Sequence, residues 1–182
     1  MSREAVLDAV RKALAPRPEA PALTPFLEPS VCPDLAKAFL EALRGVGGTG
    51  AVSSDPGRVV AAALEMLAGK PAPRVLLEGE PVPGLGAALR GAFPGLETTL
   101  DPTDCAYDLA GTGADWAVAE TGTLVQVSGP GRGRLASLVP AAHLAVVPAS
   151  ALRAGLGEVL AAFEAGGLAG AALTCITGPS RT

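Results

Sequence analysis

Asp55-Pro56-Gly57-Arg58-Val59-Val60-Ala61-Ala62-Ala63-Leu64-Glu65-Met66-Leu67-Ala68-Gly69, followed within a few residues by Arg74-Val75-Leu76-Leu77, sets the architecture of this chain. Asp55 and Pro56 make a cap and first-turn pair. Val59, Val60, Ala63, Leu64 and Leu67 then recur at helical spacing, and Gly69 stops the run. Arg74 to Leu77 reads as a strand. On the N-terminal side, Asp34 caps a helix with Leu35, Phe39, Leu40 and Leu43 facing inward, which ends at Gly45, and a short strand is expected over Thr49 to Ser53. On the C-terminal side follow a short helix near Val82 to Arg90 and a strand over Leu96 to Leu100. Strands alternating with helices of this length predict an α/β fold with a largely parallel sheet, because parallel strands need crossovers.

The second half is patterned differently. Trp116 to Ala119 and Leu124 to Val127 read as two strand segments interrupted at Glu120-Thr121-Gly122-Thr123, with a glycine-rich loop, Gly129 to Arg134, directly after them. A strand over His143 to Val147 precedes a helix that Ser150 caps, with Leu152, Leu156, Val159, Leu160 and Phe163 apolar. A last strand, Leu173 to Thr177, delivers Gly178-Pro179-Ser180-Arg181-Thr182. At the other end, Ser2 to Ala15 carries Val6, Leu7, Val10 and Leu14 on one helical face, and six prolines lie between Pro16 and Pro33. Residues 1–33 therefore read as a helical arm with a proline-rich link, and residues 34–182 as the α/β body.

Composition excludes several classes of function. A net charge of −4 with dispersed basic residues, and only 3% aromatic residues, provides neither the electrostatic footprint nor the stacking platforms of a nucleic-acid binder. No apolar run approaches the ~18 residues of a membrane span. Met1-Ser2-Arg3-Glu4 lacks a secretory start, so a cytoplasmic location is expected. Cys32, Cys105 and Cys175 have no metal or cluster spacing and read as reduced, partly buried thiols, and no cofactor is evident. Gly45-Val46-Gly47-Gly48-Thr49-Gly50 matches a dinucleotide fingerprint as text but follows a helix and precedes a strand, so it reads as a helix stop and turn.

Two segments have the composition of an anion cradle, Thr121-Gly122-Thr123 and Gly178-Pro179-Ser180-Arg181-Thr182. Glycine permits close approach of backbone N–H groups, hydroxyls supply donors, and Arg181 supplies a forked, permanently charged one. The terminal segment lies at the carboxyl end of a strand, where open α/β sheets collect ligands. Glu120, expected within an apolar strand, is the candidate proton acceptor, alternatively a cap for its own turn. His143, the single histidine, is either a structural hydrogen-bonding group or a ligand contact or proton-transfer group. Arg132 and Arg134 read as a solvated, mobile loop, with anion capture or a lid as the sharper alternative.

Read together, Ala114 to Leu124, Arg134 to His143 and Thr177 to Thr182 resemble the lactate-utilisation protein C family, whose members carry the LUD domain. The resemblance implies a Rossmann-like three-layer sandwich of the NagB/RpiA/CoA-transferase type. It also implies a role in a cytoplasmic system oxidising L-lactate to pyruvate, with iron–sulfur clusters carried by partner oxidoreductase subunits. In that family an Ala-Asp-Ile-Glu stretch commonly follows the Gly-Pro-Ser-Arg-Thr segment, and the resemblance implies that acidic residues of that stretch join the site. Two alternatives stand beside this expectation: a docking module gripping iron–sulfur partners through its helical arm, and an isomerase or acyl-transfer enzyme using Glu120.

Overall fold

The helices form where caps and apolar periodicity coincide. In the computed structural model, which describes residues 2–13, 33–98, 106–129, 132–166 and 172–179, α1 spans Arg3–Ala13, α2 Leu35–Gly45 and α3 Gly57–Met66. Asp34 caps α2 as expected, its carboxylate accepting from the Lys37 backbone N–H at 2.9 Å. At α3 the expected cap is shifted by one: Pro56 holds the N-cap position with no side-chain cap bond, and Asp55 before it accepts from the Gly57 N–H at 2.8 Å. No residue of α1 is buried, and Val6, Leu7 and Val10 are all exposed. Most of the proline-rich link lies outside the described residues.

Strands β1 (Val75–Glu78), β2 (Leu109–Gly113) and β5 (Ala142–Val146) form a parallel sheet in the order β1-β2-β5. Helix α3 and helix α4 (Leu85–Ala92) cover one face of it, burying Ala63, Leu67, Leu85 and Leu89 against Val75, Leu77 and Leu109. Each of these larger side chains contributes about 1.5–3 kcal/mol by leaving water.

A second sheet has the order β6-β3-β4-β7, from β3 (Trp116–Val118), β4 (Thr123–Val127), β6 (Leu152–Arg153) and β7 (Leu173–Ile176). It lies between two helices. Phe39 of α2 packs with Ala117 and Ala119 on one side, and Val159 of α5 (Leu156–Ala165) packs with Val118 and Val125 on the other. Helix, sheet and helix are thus three layers.

Several expectations need correction. The sheet is not largely parallel throughout, because the β3–β4 turn reverses the chain into an antiparallel hairpin and β7 runs antiparallel to β4. Thr49 to Ser53 forms no strand; Val52 is 66% exposed, so pairing there has no core face to bury. Of the expected strand at Leu96 to Leu100, Glu97 alone makes a bridge, to Leu76, and residues 99 and 100 lie outside the described ones. Ser150 does not cap a helix: it sits in a 3-10 turn, and Leu152 and Arg153 pair with Ala117 and Val118. Helix α5 begins only after Gly155, where Glu158 reaches back to the Ala154 N–H at 3.2 Å. Cys175 is an exposed free thiol on β7 rather than a partly buried one, while Cys32 and Cys105 lie outside the described residues.

Candidate functional site

Pairing of β4 with β7 in the register Leu124 opposite Ile176 brings the residues just outside those strands together. Thr123 Oγ1 lies 2.7 Å from Thr177 Oγ1 and 2.7 Å from Thr121 Oγ1, an unbroken chain of three hydroxyls. Three hydroxyls hold three protons, and the two links consume two of them. One O–H is therefore left over, and when the bonds run in series it lies at an end of the chain, Thr121 or Thr177, both of which are exposed. In that arrangement the hydroxyls polarise one another and strengthen the terminal donor.

Gly122 and Gly178 have φ of +65° and +74°, in the left-handed region where side chains are strained. Both also face the last turn of α2. A Cβ on Gly122 would lie 2.6 Å from Leu43 Cα, and one on Gly178 would lie 2.5 Å from the Val46 carbonyl oxygen. Close approach here serves the chain's own helix, which clamps both segments. The carbonyl end of α2 is closed by its own following N–H groups, Val46 to Ala42, Gly47 to Arg44 and Gly48 to Leu43, which leaves less negative charge directed at the threonines.

The sequence-predicted residues distribute as follows. Thr121, Gly122, Thr123 and Gly178 come together, and Pro179 packs beside Gly47. Ser180, Arg181 and Thr182 lie outside the described residues. Glu120 is not within an apolar strand; it is exposed on the turn, its N–H donating to the Ala154 carbonyl at 3.1 Å.

His143 belongs to a different group. Its Nε2 lies 2.8 Å from Thr112 Oγ1, and Gln126 Nε2 donates to that same oxygen at 2.6 Å and to the Gly113 carbonyl at 2.8 Å. Burial lowers the His143 pKa below its ordinary value. Beside this group, Arg132 is not a solvated loop residue: it grips Asp115 through two nitrogens at 2.8 and 3.1 Å and donates to the Gly113 carbonyl at 3.3 Å. Arg134 is exposed. Thr112, Gln126 and Asp115 were missed in the sequence reading. The one available signal was a glutamine inside the apolar Leu124 to Val127 run, which a buried strand tolerates only with partners.

Among the described residues, no three or more His, Cys, Asp and Glu side chains cluster to hold a metal, and no helix is long and apolar enough to cross a membrane.

Fold and polar groups together define a layered α/β protein with hydroxyls gathered where β4 starts and β7 ends, and an imidazole where its two sheets meet. Residues 105–182 match the LUD domain, so that segment of the chain is similar to the LUD domain family. Lactate utilization protein C of Halalkalibacterium halodurans is 37% identical over 79 residues, 41% of this chain and 34% of that protein. The match thus spans about a third of that relative's length. A crystal structure of a DUF162 family protein from Deinococcus radiodurans superposes with a TM-score of 0.61 at 24% identity, covering 79% of this chain and 86% of that one. That likeness bears out the three-layer α/β class.

Proposed function

We propose that this chain acts in lactate utilisation, as a cytoplasmic subunit of a system that oxidises L-lactate to pyruvate. In this reading it binds a small carboxylate- or phosphate-bearing ligand between Thr121-Gly122-Thr123 and the segment from Gly178 to Thr182. The observation that carries it is the Thr121–Thr123–Thr177 hydroxyl chain, which joins the two segments and leaves one polarised O–H to donate. The name of the Halalkalibacterium relative supports the system, as does the separate match of residues 105–182 to the LUD domain. Arg181 is assigned the charged donor by its residue type, and Glu120, exposed on the same turn, is the group available to exchange a proton.

Calorimetric titration of L-lactate, pyruvate and inorganic phosphate into the wild-type chain, Arg181→Ala and Thr121→Val tests this reading. Removing the guanidinium is expected to weaken binding about tenfold or more, since a hydrogen bond to a charged group contributes roughly 1.5–3 kcal/mol. Equal affinity in all three proteins overturns the cleft.

A second reading, in which the chain docks iron–sulfur partner subunits, is favoured by one observation: Val6, Leu7 and Val10 of α1 are exposed and the helix buries nothing. An 11-residue helix is marginal in water without a surface to lie on. Removal of residues 1–33 is expected to abolish co-purification with such a partner, and undiminished complex formation counts against the arm.

A further inference from the structure

The hydrogen bonds around His143 decide which of its nitrogens carries the proton. Gln126 has two amide protons, and the Gly113 carbonyl can accept but not donate, so Nε2 of Gln126 is the atom facing it and its second proton goes to Thr112 Oγ1. Thr112 Oγ1 is thereby an acceptor toward Gln126. Its own single proton has one remaining partner, the Nε2 of His143 at 2.8 Å. Thr112 is 1% exposed, so a proton turned elsewhere would be buried without an acceptor, at a cost of about 1–3 kcal/mol. Nε2 of His143 is therefore bare, and the ring proton sits on Nδ1.

Nδ1 has no hydrogen-bond partner among the described residues, and no buried side-chain nitrogen or oxygen there is left unpaired. The Nδ1–H consequently lies at an accessible edge of a half-buried ring. Arg132, paired with Asp115, donates to the same Gly113 carbonyl that orients Gln126.

We infer that His143 is locked in the Nδ1–H tautomer and that this N–H donates to an oxygen of a small carboxylate- or carbonyl-bearing molecule at the seam between the two sheets. An imidazole held this way is a hydrogen-bond donor and not a base. It draws electron density from the acceptor oxygen without giving up its proton, a role suited to orienting a 2-oxo or 2-hydroxy acid. The position differs from the threonine chain: Gln126 is three residues from Thr123, about 10 Å along a strand. The lock follows from the hydrogen bonds alone and does not rest on the proposed function, although the ligand chemistry is of the same kind.

Because the chain has a single histidine, one labelled ring reports the whole proposal. Nitrogen NMR of the 15N-histidine protein at pH 8 is expected to show a protonated Nδ1 and an unprotonated Nε2; a proton on Nε2 overturns the lock. Titration with pyruvate and with acetate is expected to move the Nδ1 resonance to saturation, and a resonance unmoved by both overturns the ligand contact. His143→Gln is expected to weaken pyruvate binding about tenfold, and His143→Asn, whose amide can stand near Nδ1, by less. Equal losses in the two variants overturn the donor role. Thr112→Val is expected to give a mixture of tautomers; an unchanged single tautomer overturns the hydroxyl as the lock, and if that variant does not fold the wild-type spectrum still decides.

Discussion

Thr123 has hydroxyl partners on both sides, Thr121 and Thr177, and its side chain is among the few polar ones that are buried. Val has nearly the same shape, so Thr123→Val removes the central hydroxyl while filling the space. Two hydrogen bonds are lost together and Thr177 loses its partner, so a destabilisation of about 1–3 kcal/mol is expected by urea denaturation. Thr121→Val, at one of the two exposed ends, is expected to cost well under ~1 kcal/mol. Equal costs for the two would mean that the hydroxyls do not act as a chain. Reading the residues alone identified Thr121 and Thr123 as hydroxyl donors of an anion cradle. It did not supply Thr177 as their partner, because that contact spans 54 positions and depends on the β4–β7 register.

At the scale of elements, α2 does more than cover a sheet. Its last turn sits against Gly122 and Gly178, so one helix end positions both halves of the threonine site. Gly122→Ala introduces a Cβ 2.6 Å from Leu43 Cα and also strains a left-handed backbone. Backbone atoms of a helix cannot step aside as a flexible side chain can. The substitution is expected to cost about 3 kcal/mol or more in thermal or chemical denaturation, and to raise amide exchange in α2. A cost below 1 kcal/mol would show that α2 is free to shift. Helix boundaries at Asp34, Gly45 and Asp55 were legible, since caps and stops act within a few residues. Strand β2 was not: Gly111 and Gly113 dilute its apolar signal, and the strand exists because β1 and β5 pair with it on both sides.

The whole molecule responds to acid in two windows. Burial lowers the His143 pKa below 6.5, so as pH falls through 6.5 the unfolded chain takes up a proton that the folded ring resists. The unfolded state then binds more protons, and stability falls with pH until the folded value is reached. Asp108 is lowered below 3.8, first by its bond from Lys70 and then by the Arg74 backbone N–H, so its contribution is present above 3.8 and is lost as pH falls through the folded value. Denaturation midpoints followed from pH 8 to pH 3 are expected to show both declines. His143→Gln is expected to abolish the first and Asp108→Asn to shrink the second. A profile for His143→Gln that still falls just below pH 6.5 would assign that step elsewhere.

What the amino-acid order determined by itself was the α/β class, the capped helices, the two strand segments broken at Glu120 to Thr123 and the cradle-like composition of two distant segments, since periodicity, capping and turn chemistry operate between near neighbours. Tertiary structure alone decided that there are two sheets instead of one, that the glycines admit α2, and that His143 answers to Thr112 and Gln126. Each of these depends on hydrogen bonds or packing between strands far apart in the chain, and a linear pattern of side chains does not encode which strand lies beside which.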